Sequence, residues 1–98
     1  MQVLVEMELM DSVVGDLVPE ARKKAAKLIQ MVMESGKVQA GGLVVGRRGG
    51  FFLIDADDPE ELGMLFSPGL DLFEIKINLV APFEHLPKMF KRMEELGF

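Results

Sequence analysis

Two short runs, far apart in the sequence, carry side chains that could do chemistry together. Glu6 and Glu8 are two positions apart in one alternating run, and Glu74, Lys76 and Asn78 follow the same spacing in another. In a β-strand that spacing places residues on one face. If the runs are adjoining strands, carboxylates, an ammonium and an amide share one surface. Screened from water, such a cluster binds a polar ligand or moves a carboxylate toward general-base range. Proton abstraction α to a carbonyl needs one carboxylate and a cationic or hydrogen-bonding partner for the enolate. Glu8 or Glu74 with Lys76 meets that minimum, with Glu6 and Asn78 as ligand contacts. The plainer reading of the same residues is a cross-strand salt bridge between Lys76 and a glutamate at a wet interface.

Other candidates are weaker. His85, the single histidine, lies between Pro82 and Pro87. It either points into a cavity mouth as a ligand contact or serves as a surface cap. Gly46-Arg47-Arg48-Gly49-Gly50 has the look of an anion nest, but a strand follows it where a phosphate loop requires a helix. A hairpin turn accounts for it better, leaving Arg47 and Arg48 at the tip to meet an acidic partner. Asp55, Asp57 and Asp58 suggest a hard-cation site, yet capping of the helix at Pro59 explains Asp58 more simply, and no metal is expected. The serines Ser12, Ser35 and Ser67 sit at element edges, none in a nucleophile elbow.

The elements that must position these residues follow from hydrophobic periodicity. Gln2 to Leu9 alternates, with Val3, Val5, Met7 and Leu9 on one face. From Leu17 to Ser35, Ala21, Ala25, Leu28, Ile29 and Val32 recur at helical spacing, with Pro19 in the first turn and Gly36 as the stop. Val38–Val45 and Phe51–Ala56 form the arms of the hairpin. Asp58-Pro59-Glu60-Glu61 starts a short helix by capping. Asp71 to Val80 alternates again, and Leu86, Met89, Phe90, Met93 and Leu96 form the stripe of a last helix. The order is strand, helix, strand, strand, helix, strand, with a helix appended. That predicts an α+β, ferredoxin-like βαββαβ antiparallel sheet spanning residues 1–98 as one domain, with β1 beside β4 and both helices on one face.

Composition bounds the function. The 98 residues suit one domain, and 49% hydrophobic with 28% charged residues is an ordinary globular balance. A net charge of −5 argues against nucleic acid or an anionic membrane as partner. Without cysteine there is no thiol nucleophile, thiolate metal site or disulfide. The longest uncharged stretches, Val38 to Gly46 and Leu62 to Leu70, are nine residues each, well short of the roughly 20 that span a bilayer. No signal-peptide pattern is present, so a cytoplasmic location is the expectation.

With the helices on one face, the other is left bare. It is expected to carry Leu4, Leu43, Val45, Phe52, Ile54, Leu72 and Val80 beside the polar cluster, more apolar surface than monomers usually expose. A second protomer would cover it.

Several segments, Val5-Glu6-Met7-Glu8-Leu9, Phe52-Leu53-Ile54-Asp55-Ala56, Pro59-Glu60-Glu61-Leu62, Leu65-Phe66-Ser67-Pro68 and Asp71-Leu72-Phe73-Glu74-Ile75-Lys76-Ile77, resemble muconolactone isomerases in pattern as far as about residue 80. The resemblance implies a dimeric α/β barrel, in which two ferredoxin-like sheets close face to face around a cavity. It also implies proton-transfer isomerisation of a small carboxylated lactone or similar compound, with no cofactor. The alternative is a non-catalytic binding or assembly module whose bare sheet self-associates and whose last helix docks on a partner.

Overall fold

The computed structural model describes all residues from Met1 to Phe98. β1 (Gln2–Leu9) is an interior strand, because its alternate residues are apolar enough to be buried: Val3 and Val5 are fully inaccessible and Met7 nearly so. α1 (Val18–Glu34) buries Ala21, Leu28 and Val32, the 3.6-residue stripe that its sequence specifies. A hairpin of β2 (Val38–Val44) and β3 (Gly49–Asp55) follows, then α2 (Pro59–Phe66), β4 (Phe73–Leu79) and α3 (Leu86–Glu95). The sheet order is β2-β3-β1-β4, antiparallel throughout, so the ferredoxin-like plan is the observed one.

Local signals act where the sequence places them. The Asp58 carboxylate accepts a hydrogen bond from the Glu61 amide at 2.9 Å and caps α2. Gly46 turns the hairpin at a φ of +89°, a conformation that costs other residues about 1 kcal/mol or more. The core lies between the sheet and the two helices, where Val3, Val5, Val32 and Ile54 are fully buried and the rings of Phe52 and Phe66 meet at 6.0 Å. Each such side chain contributes roughly 1.5–3 kcal/mol through burial.

The phase of β3 differs from the expectation. Phe52 and Ile54 lie under the helices, opposite Val5 and Val3, and Phe51 and Leu53 take the bare face instead. β3 is apolar at every position from Phe51 to Ile54, so alternation cannot set its phase, and pairing with β1 decides it. Leu43 pairs with Gly50 and so also falls on the helix side, while Val45 belongs to the turn.

The hairpin tip is tied down from within. The Arg48 guanidinium donates to the carbonyls of Val13 at 2.6 Å and Met10 at 2.9 Å, holding the β1–α1 loop. The aspartates are similarly committed: Asp55 to the N-terminal ammonium at 3.2 Å, Asp57 to Lys37 at 3.0 Å and Asp58 to its cap. Lys37 also lies 3.7 Å from Glu61, so it clamps the start of β2 to the start of α2. The bond to Asp57 is the largest cause holding the Lys37 ammonium above the ordinary lysine pKa.

α3 stands apart. Every residue from Ala81 onward is exposed, and the chain extends over 56 × 27 × 23 Å. Its radius of gyration is 16.6 Å, against about 13 Å for a compact domain of this size. No helix is long and apolar enough to cross a membrane.

Candidate functional site

The strand register places the polar cluster on the bare face. Glu6 stands opposite Lys76 of β4 on one side and Phe51 of β3 on the other. One step along the same face, Glu8 is opposite Glu74 and Gly49. Leu4 opposite Asn78 completes the row. Glu6, Glu8, Glu74 and Lys76 line an open cleft of about 430 Å³ with Leu4, Val44 and Phe51. Asn78 shares the face but lies one step beyond the cleft, toward the start of β1.

Gly49 opens the cleft beside Glu8, since it puts no side chain on the face there. A Cβ at this position would collide with the Met7 carbonyl oxygen, so the close approach of β3 to β1 requires glycine. Arg47 reaches over the rim from the hairpin tip, with Nη1 3.9 Å from Glu8 Oε2. Lys76 makes no ion pair within 4 Å, so the cross-strand salt bridge weighed from sequence is not formed in the protomer. The cleft therefore holds three carboxylates and two cations, one of them uncommitted. Carboxylate and ammonium on one apolar-flanked surface can hold a small polar ring and move a proton on it.

His85 is not part of this constellation within one protomer. It lies in the 3₁₀ turn Phe83–His85 beyond the end of β4, whose Leu79 pairs with Val3, while Glu8 and Glu74 are at the other end of the sheet. No group of three His, Asp or Glu side chains is arranged to hold a metal. Phe51 is absent from the expected site, and Arg47, expected at the tip to meet an acidic partner, meets Glu8 of its own chain. Both placements follow from the hairpin register, because Gly49 opposite Glu8 carries Arg47 past the rim and puts Phe51 beside Glu6.

A second, larger depression of about 760 Å³ lies on the helix side, between α1 and the hairpin. It is lined mainly by apolar residues, with Arg22, Arg47 and Arg48 at its rim and no carboxylate. It has the larger volume, but the groups able to move protons are in the smaller cleft.

No protein-family model matches the chain, and no curated protein sequence matches it. Solved structures do. One is 5-chloro-2-hydroxyhydroquinone dehydrochlorinase (TftG) from Burkholderia phenoliruptrix AC1100 in complex with 2,5-dihydroxybenzoquinone, with a TM-score of 0.61 and 17% identity over 87% of this chain and 98% of that one. Another is muconolactone isomerase, with a TM-score of 0.62 and 14% identity over 84% of this chain and 90% of that one. Both are dimeric α/β-barrel proteins. The resemblance read from the sequence thus holds at the level of the fold, which this chain shares with muconolactone isomerase and the dehydrochlorinase.

Proposed function

We propose that the protein is a small dimeric α/β-barrel enzyme that binds a compact, oxygenated or carboxylated ring compound between two sheets and isomerises it by proton transfer. The observation that carries this reading is the cleft itself: Glu8 and Glu74 directly opposed, with Lys76 and Arg47 at hand, on the one sheet face the helices leave open. Closure by a second copy would exclude water and strengthen every charge interaction inside. Glu8 or Glu74 takes a proton from a carbon α to the ring carbonyl. The electron pair moves onto the carbonyl oxygen as an enolate facing Lys76, and the proton returns at another carbon of the conjugated system. Glu6 and Asn78 orient the ring. His85 takes part as a ligand contact only when a second copy brings it to the cleft. The protein acts in the cytoplasm and uses no cofactor.

The fold neighbours lend support through their ligands, a dihydroxybenzoquinone in one and a lactone in the name of the other. The second reading, a non-catalytic assembly module, draws on α3, whose residues are all exposed in this chain. Solvent-deuterium incorporation into muconolactone, followed by proton NMR, separates the two. Parent protein should catalyse exchange, and Glu8→Gln or Glu74→Gln should slow it by about 10²–10⁴-fold. Exchange no faster than in buffer would leave the assembly reading.

A further inference from the structure

We propose that α3 is an exchanged arm, which docks its apolar stripe in the groove between α1 and the hairpin of a second copy and receives that copy's α3 in return. Phe83, Leu86, Met89, Phe90, Met93 and Leu96 project from the arm and are between 39% and 91% exposed. On the helix wheel the five from Leu86 onward span roughly 120°, the width of a face that packs on a core. Lys88, Lys91 and Glu95 lie opposite. The stripe is left largely uncovered in its own chain.

The groove is the matching surface. Val18, Ala21, Ala25 and Ile29 form one wall along α1, and Leu43 and Val45 project from the hairpin on the other side. Leu43 and Val45 are 79% and 98% exposed, so this surface too lacks a cover. Its small alanines admit bulky side chains, and its volume of about 760 Å³ takes several. The rim carries Arg22, Arg47 and Arg48 without an acid, and at helical spacing Glu94 flanks the stripe on one side and Arg92 on the other.

The arm leaves the sheet at the wrong corner for its own groove. β4 ends at Leu79 opposite Val3, whereas the groove floor is at Met7 and Leu9, the other end of β1. That separation is about 20 Å along the strands, and the hairpin edge is three strand spacings, about 14 Å, across the sheet. Val80 to His85, partly coiled in a 3₁₀ turn, is too short a link to cross both and start a helix there. A second copy has no such constraint. Two reciprocal arms, each burying this row of large side chains against an equal area of groove, exceed the roughly 1,000 Å² of a specific interface. The proposal is independent of the proton-transfer reading.

Photo-cross-linking tests it. p-Benzoylphenylalanine in place of the exposed Phe90 is irradiated in a mixture of ¹⁵N-labelled and unlabelled protein, and cross-linked peptides are read by mass spectrometry. The expected product joins α3 of one copy to residues 18–29 or 42–51 of the other. Leu43→Asp, at a position outside the buried core, should reduce its yield at least tenfold while leaving the thermal midpoint of the fold unchanged. Cross-links only within one copy, to the Leu4–Phe51 sheet face, or not at all would overturn the proposal. So would loss of the cross-link on adding phosphatidylglycerol vesicles that the protein then binds, since α3 would be a membrane-surface helix.

Discussion

Glu8 on β1 stands directly opposite Glu74 on β4, two carboxylates at paired positions on the exposed face of the sheet. Like charges placed so oppose each other, and Arg47, 3.9 Å from Glu8, is a long and exposed counterweight. The fold therefore carries an electrostatic conflict in the cleft that it could avoid with any neutral residue.

Replacing one member should show the conflict as stability. Glu74→Gln is expected to raise the unfolding free energy by roughly 0.2–1 kcal/mol at neutral pH, read as a higher urea midpoint. A lower midpoint would mean that the pair is fully compensated, and the cleft would lose its special character.

Self-association should depend on the bare face. Leu4, Phe51 and Leu53 are the apolar residues beside the carboxylates there, and Phe51 keeps 36% of its surface exposed in the protomer. Phe51→Glu should weaken dimerisation by at least tenfold in sedimentation equilibrium. A parent protein that is monomeric at micromolar concentration would contradict this.

Leu28 tests the helix phase. It is 5% exposed and packs in the core, close to Gly69, where any added Cβ would meet its Cδ2 at 2.6 Å. Leu28→Asp buries a charge without a partner and should cost several kcal/mol, enough to unfold a domain of this size at moderate temperature. The thermal midpoint reports it directly.

The Lys37 clamp gives a pH signature. Its pKa is raised in the folded chain, first by the hydrogen bond to Asp57, so folding favours the charged form. The stabilisation is complete below the unfolded lysine pKa and is lost as pH rises through the folded one. Between about pH 9 and 12 the parent should therefore lose thermal stability more steeply than Lys37→Met. Parallel curves would place the Lys37–Asp57 contact at no net effect.

Element order, sheet topology and the carboxylate cluster were legible because their signals are local and periodic. β1 and β4 each alternate polar and apolar residues, so Glu6, Glu8, Glu74 and Lys76 could be put on one face before any pairing was known. β3 carries no such phase, since both of its faces are apolar, and Phe52 and Ile54 take the side opposite to the expected one. The pairing of Arg47 with Glu8 depends on hairpin register, a long-range property that the tip sequence does not carry. The isolation of α3 was equally invisible, because an amphipathic stripe states that a helix must pack without stating on what.

On the proposed function, the bare sheet face, and not the larger apolar groove, binds a small ring compound. Titration of ¹⁵N-labelled protein with 2,5-dihydroxybenzoquinone, followed by amide NMR, tests it most directly. Shifts should concentrate at Leu4, Glu6, Glu8, Phe51, Glu74 and Lys76 and be lost in Lys76→Met. Shifts confined to Val18, Ala25 and Leu43, or no saturable shift at all, would contradict it.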